Sequence, residues 1–269
     1  MTIRLTPEQI ERYSRQIMIP DLGGKGQIRL RQGKALVIGA GGLGSSSAFY
    51  LTAAGIGCLG IVDSDRVELS NLQRQILHST PDVGREKVES AGDKLRSLNP
   101  EVEIRTHAVY LDEGNAAEIF TSYDFIIDGS DNFATKFLVN DTAVALQKPF
   151  SHAGIVRFQG QTMTVVPGKS ACYRCLFREP PAPGEILNCQ QAGILGSIAG
   201  TIGSIQATEA IKYFAGMEES LLTDRLLTYD AKEIKFRAIE VQRDPQCAAC
   251  GDKKSAELKL SPSSREVTP

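Results

Sequence analysis

The stretch Lys34-Ala35-Leu36-Val37-Ile38-Gly39-Ala40-Gly41-Gly42-Leu43-Gly44 decides the reading of this chain. Ala35 to Ile38 form a short apolar run, half of it β-branched, the pattern of a strand buried in a parallel sheet. Gly39, Gly41 and Gly44 complete G-x-G-x-x-G, and Leu43 to Ala54 read as a helix. Glycines here permit a tight turn and let an anion approach bare N–H groups at a helix N-terminus. Any close-packed strand-to-helix turn could use the same glycines, so the wider context must decide. A second strand, Leu59 to Val62, ends in Asp63, nineteen residues after Gly44. That is where a carboxylate meets a ribose hydroxyl.

Further elements follow outward from this unit. Pro7 to Ile19 reads as a helix with Thr6 as N-cap, and Gly23-Gly24-Lys25-Gly26 is expected to end this N-terminal arm, residues 1–33. Arg12 and Arg15 fall on its polar side. Gly84 to Leu98 is an amphipathic helix, Val102 to Val109 a strand, Asn115 to Phe120 a short helix, and Phe125 to Asp128 a buried strand followed by a helix through Leu146. The alternation predicts a Rossmann-like, doubly wound, mainly parallel α/β sheet over residues 34–148. Residues 149–251 are expected to extend the same domain. Phe150 to Val156 and Gln161 to Val166 read as antiparallel strands added to one edge, with late strands at Leu226 to Tyr229 and Ile234 to Val241. Gly193 to Phe214 is a Gly- and Ala-rich helical region between them. Glu179 to Gly184 is expected to be a mobile, Pro-rich loop, and residues 252–269 a disordered tail.

Composition narrows the function classes. The 269 residues carry a net charge of -2, so no global basic field points to nucleic acid. Met1 to Glu8 lack the apolar core of a signal peptide. The most apolar stretch, Ala192 to Ala207, is broken by Gly193, Gly196, Gly200, Gly203 and Gln206, so no membrane span is expected and a cytoplasmic location is. Four of the six cysteines form two C-x-x-C pairs, Cys172/Cys175 and Cys247/Cys250. Four thiolates in two such knuckles suit a closed, tetrahedral, structural Zn²⁺ site, against the alternatives of four reduced thiols or redox chemistry in one pair.

A nucleotide site would draw on more than the glycines and Asp63. Arg74 and Lys87 can supply cations to a triphosphate, and Asp131, just past a parallel strand, can hold Mg²⁺. Each is also an ordinary surface residue type. His78, His107 and His152 fall in none of these motifs and read as structural, as does Cys58.

The motifs together carry a resemblance. Gly39-Ala-Gly-Gly-Leu-Gly, Asp63-Ser-Asp65, Ser70-Asn-Leu-Gln-Arg-Gln75, Asp128-Gly-Ser-Asp-Asn132 and the paired C-x-x-C occur in the order of the MoeB/ThiF (HesA) family, as does Arg12-Tyr-Ser-Arg-Gln-Ile17. These adenylyltransferases resemble ubiquitin-activating enzymes, and the similarity spans residues ~8 to ~251. It implies adenylation, with MgATP, of the C-terminal glycine of a ubiquitin-like sulfur carrier of ThiS or MoaD type, releasing pyrophosphate for sulfur transfer in thiamin or molybdopterin biosynthesis. By matching motif, Gly39, Gly41, Gly42 and Gly44 would form the phosphate loop, with Asp63, Asp65 and Gln75 in the nucleotide site. Asp63 would hold the ribose, Asn71, Arg74 and Lys87 the phosphates, and Asp131 the magnesium. Arg15 would reach the phosphates from the other subunit of a homodimer. Cys189 stands where ThiF-like members can link covalently to the carrier and where MoeB-like members carry a thiol they do not need, so both roles stay open. No rhodanese-type sequence follows Cys250, so a separate sulfur donor is expected. Two alternatives remain: an NAD-dependent oxidoreductase on the same glycines and Asp63, and a non-catalytic carrier-binding scaffold.

Overall fold

The computed structural model describes residues 4–181 and 192–252. The expectations for the Pro-rich loop beyond Pro181, for Cys189 and for the tail from residue 253 lie outside them. Eight strands form one sheet: β1 (Lys34–Ile38), β2 (Cys58–Val62), β3 (Glu103–His107), β4 (Phe125–Asp128), β5 (Phe150–Val156), β6 (Gln159–Val165), β7 (Arg225–Asp230) and β8 (Lys235–Glu240). Their spatial order is β3-β2-β1-β4-β5-β6-β7-β8. The chain runs from β1 outward through β2 and β3, then returns to place β4 on the other side of β1. The crevice between β1 and β4 is therefore a topological switch point, where open α/β sheets bind ligands.

Alternation builds the two cores. Ala35, Val37, Leu59, Ile61, Phe125 and Ile127 face one layer, packed against Leu51, Ala207, Ala210 and Phe214. Leu36, Ile38, Val62 and Ile126 face the other, against Phe120, Val139 and Ala143. With both faces covered, β2 and β4 are buried along their whole length. The first layer depends on two helices that approach closely, Gly42–Ala54 and Gly196–Ala215. A Cβ on Gly203 would lie 2.1 Å from Ser46 Oγ. The hydroxyls of Ser46 and Ser47 instead donate to the carbonyls of Ala199 (3.1 Å) and Gly203 (2.9 Å). No helix among the described residues is long and apolar enough to cross a membrane.

Several boundaries differ from the sequence reading, each for a physical reason. The N-terminal helix is two short ones, Pro7–Arg12 and Ser14–Ile17. They break at Tyr13, whose buried hydroxyl donates to Glu101 (3.2 Å) and accepts from Asn99 Nδ2 (2.9 Å). The Thr6 cap holds, as half of a capping box with Gln9. The glycines at 23–26 do not end the arm but open a helix, Gly23–Leu30. The helix expected from Gly84 starts at Lys87, because Gly84 has φ +88°. β5 is not an antiparallel addition: it pairs parallel with β4, and the antiparallel extension begins at β6.

Two glycines separate packing from conformational cost. A Cβ on Gly44 would sit 1.8 Å from Gly39 O, a backbone atom that cannot move aside. A Cβ on Gly24, inside its helix, would meet nothing within 4 Å. Gly44→Ala is expected to lose ~3 kcal/mol or more. Gly24→Ala is expected to gain about 0.5–1 kcal/mol from helix propensity alone. Denaturant unfolding of both variants checks the pair, and equal stability would contradict the loop packing described.

Candidate functional site

A cavity of about 550 Å³ opens at the carboxyl ends of β1, β2, β4 and β5. Its first wall is the glycine loop. Gly39, with φ +88°, turns the chain so that its N–H donates to Val62 O at 2.7 Å. Asp63, at the end of β2, clamps the loop: Oδ2 accepts from Ala40 N and Oδ1 from Asp65 N, each at 2.8 Å. Burial pushes the Asp63 carboxyl above the ordinary carboxylate range, against the Lys87 ammonium and these two N–H donors. His78 supports the loop from behind, with Nε2 3.0 Å from Ala40 O and Nδ1 2.9 Å from Ser90 Oγ. Since a carbonyl only accepts, the proton sits on Nε2.

The cations come from the polar segment after β2. Lys87 opens the Lys87–Leu98 helix, where its N–H donates to Asp65 O (2.9 Å) and its Nζ lies 2.8 Å from Asp65 Oδ2. Arg74 is half-buried and donates to Ser70 O at 3.1 Å. Gln75 is buried, and its Oε1 has no partner among the described residues. Asp131 stands exposed on the β4 side.

Of the residues singled out from the sequence, Gly39, Gly41, Gly42, Asp63, Asp65, Arg74, Gln75, Lys87 and Asp131 all line this one cavity. Gly44 does not line it and serves the packing behind the loop. Asn71 is buried outside it, with Oδ1 accepting from Glu68 N at 3.1 Å in a short 3₁₀ turn. Arg15 is exposed on the Ser14–Ile17 helix and does not line its own chain's cavity.

The cavity floor holds a cluster that the sequence reading did not assign to the site. Asp128 is 1% exposed and accepts from Ser130 Oγ (2.5 Å), His152 Nδ1 (2.9 Å) and Lys136 Nζ (3.3 Å). Lys136 also donates to the carbonyls of Ser130 (2.7 Å) and Ala153 (2.6 Å), which uses its three hydrogens. Burial alone would raise the Asp128 carboxyl, but Lys136, His152 and Ser130 hold it well below the usual range. Asp128 belongs to a quoted string, but no local pattern announces that Lys136 and His152 converge on it.

The four paired cysteines meet in space. Their sulfurs lie within 4.8 Å of one another, with Cys172–Cys247 at 3.6 Å, Cys175–Cys250 at 3.4 Å and Cys172–Cys175 at 3.9 Å. A tetrahedral ion with ~2.3 Å bonds to sulfur needs sulfurs ~3.8 Å apart. None of the four is in a disulfide. The cluster is therefore shaped to hold a metal ion, and with four protein ligands it leaves no coordination position open.

This arrangement matches known proteins. The ThiF family model matches residues 13–249. The chain belongs to the ThiF family. It is 48% identical over 245 residues to a probable adenylyltransferase/sulfurtransferase MoeZ of Mycobacterium tuberculosis, covering 90% of this chain but only 62% of that relative. It is 45% identical over 255 residues to the sulfur carrier protein adenylyltransferase of Thermus thermophilus, covering 93% of this chain and 94% of that one. Among solved structures, Escherichia coli MccB with ATP superposes with a TM-score of 0.76 at 25% identity, covering 89% of this chain and 74% of that one.

Within this ThiF-family site, Asp128 is where charge is most costly to disturb. Asp128→Asn leaves the Lys136 ammonium buried without its counter-charge, an expected loss of about 3–5 kcal/mol at neutral pH. Because the folded carboxyl titrates below its unfolded value, its stabilisation is complete above about pH 4 and fades as pH falls toward the lowered value. The stability gap between wild type and Asp128→Asn, measured by urea unfolding, should therefore be constant from about pH 5 to 8 and narrow below about pH 4. A gap that stays level into acid would contradict the network.

Proposed function

We propose that this chain uses ATP and Mg²⁺ to adenylate the C-terminal glycine of a ubiquitin-like sulfur carrier of ThiS or MoaD type, releasing pyrophosphate. One observation carries the reading: the glycine loop, Asp63, Arg74, Lys87 and Asp131 share a single cavity at the β1/β4 switch point. The activity named for the Thermus relative, similar over nearly its whole length, supports it. The carrier's carboxylate attacks the α-phosphorus of ATP, and both groups are anionic. The site must neutralise charge and hold the reactants in line. No general base is required, since a carboxylate is already deprotonated at neutral pH.

Residue roles follow from that chemistry. Asp63 receives the ribose, while Arg74 and Lys87 face the phosphates, Lys87 once it exchanges Asp65 for the ligand. Asp131, an exposed carboxylate on the cavity wall, fits Mg²⁺, which supplies charge neutralisation at the phosphates. Arg15 does not line its own chain's cavity and would act in a partner subunit's site, so the working unit is a homodimer. Cys189, outside the described residues, is assigned to a step after adenylation, because carboxylate and ATP suffice without a thiol. A separate sulfur donor and a cytoplasmic location complete the proposal. An NAD-dependent oxidoreductase would leave Arg74, Lys87 and Asp131 without a task and runs against the relatives' named activities.

Two measurements test the reading. In carrier-dependent pyrophosphate exchange, Asp131→Ala and Arg15→Ala should each be inactive though folded. Mixed after subunit exchange, they should regain up to roughly a quarter of wild-type activity, because each heterodimer holds one intact site. Exchange by Asp131→Ala alone would remove that carboxylate from the mechanism, and failure to complement would place Arg15 in its own subunit's site. Cys189→Ala should keep exchange within a few-fold, and its loss would move that thiol into adenylation.

For the cysteine cluster, the proposal is structural Zn²⁺. The purified protein should contain about one zinc per chain. Chelation should lower the melting temperature. Folded protein that is free of zinc and equally stable would refute the assignment.

A further inference from the structure

His152 is not needed by the mechanism above, yet it forms part of the cavity wall. It lies on β5 directly across from Asp128 on β4. Asp128 is an ionised acceptor, so the His152 hydrogen sits on Nδ1, donated across 2.9 Å. Burial pushes the imidazole toward its neutral form, against the attraction of Asp128. Nε2 therefore carries a lone pair. That nitrogen is buried and has no hydrogen-bond partner among the described residues. The Tyr173 ring packs against the imidazole, 4.4 Å between centroids, and holds its plane. His152 lines the cavity, and an acceptor left unpaired on its ring calls for a donor.

The position of β5 says which donor. Asp63 and Lys87 lie on the β2 side of β1, whereas β5 lies two strands away on the opposite side, beyond β4. The donors of ATP are its ribose hydroxyls, assigned above to Asp63 on the β2 side, and its adenine amino group, which the ATP KM below tests; phosphates and the attacking carboxylate offer no hydrogen. A polypeptide tail entering from the β5–β7 side offers amide N–H groups. Gly154, two residues beyond His152 on the same face of β5, also lines the cavity, and without a side chain it leaves room for a close backbone approach.

We propose that His152 is a specificity-determining residue, whose Nε2 accepts a hydrogen bond from the amide N–H between the last two residues of the carrier's Gly-Gly terminus. The inference rests on the adenylation reading above. It assigns a recognition task to a histidine that the motif reading leaves in the core.

The test uses pyrophosphate exchange with ThiS-type and MoaD-type carriers ending in Gly-Gly. With the carrier that supports exchange, His152→Phe should raise the carrier KM about tenfold, the scale of one neutral hydrogen bond, with the ATP KM unchanged and kcat within about twofold. His152→Asn keeps an acceptor and should fall between. A semisynthetic carrier with an ester in place of its last amide lacks the N–H. It should bind wild-type enzyme about tenfold more weakly, yet show no further loss against His152→Phe. If His152→Phe does not fold, His152→Asn and the ester carrier with wild-type enzyme decide. An unchanged carrier KM, or independent effects of ester and mutation, would overturn the inference and leave the adenylation reading standing. Absence of exchange by wild-type enzyme with either carrier would instead remove that reading, and this inference with it.

Discussion

The site depends on a contact between bare backbones. Gly39 O lies where a Cβ on Gly44 would be, and a Cβ on Gly129 would fall 2.9 Å from Ile38 O and 3.1 Å from Gly44 N. Three glycines thus let β1, the start of the following helix and the turn after β4 approach one another without side chains between them. Widening any one of them would push the helix N-terminus away from the crevice. The close approach of Gly42 to Ala199 and of Gly203 to Ser46 continues the same constraint along the helix pair. The glycine loop is therefore held by the core packing behind it as well as by its own hydrogen bonds.

Strand order converts that packing into two functional sides. Asp63, Asp65 and Lys87 gather beyond β2, and His152 and Gly154 lie beyond β4. In the proposed reaction, nucleotide and carrier carboxylate must meet over the β1/β4 crevice, each from its own side of the sheet. The metal-shaped cysteine cluster contributes at one remove. Tyr173 lies between the two cysteines of its knuckle and packs on His152, so the cluster is joined to the cavity wall through one side chain.

Much of the glycine-loop half of the cavity was legible in the sequence because it is local. The β1 run, its glycines and Asp63 lie within thirty residues, and nine of the residues chosen from motifs line the cavity. What local pattern cannot carry is pairing. Nothing in Phe150 to Val156 says whether β5 runs parallel or antiparallel to its neighbour. The glycines at 23–26 look like a break because propensity is weak evidence once tertiary packing intervenes. Gly26 is buried against Leu22 and Ala215, which rewards a helix there. Asn71 matches the family string, yet its side chain is engaged by the turn that presents Arg74. Lys136 and His152 were invisible as site residues because they meet only through Asp128.

The two strand-end aspartates show how one sheet edge makes opposite use of the same side chain. Asp128 has Lys136, His152 and Ser130 around it, and their combined attraction overcomes burial and keeps it charged. Its interactions are with the protein, so its work is to fix the floor and the His152 tautomer. Asp63 has two backbone donors and a lysine that also pairs with Asp65, and burial dominates. A carboxylate left short of donors gains most from a ligand that brings hydroxyl hydrogens. The site's internal charge balance thus leaves Asp63 open to a ligand and commits Asp128 to the architecture, a division that motif spacing alone does not reveal.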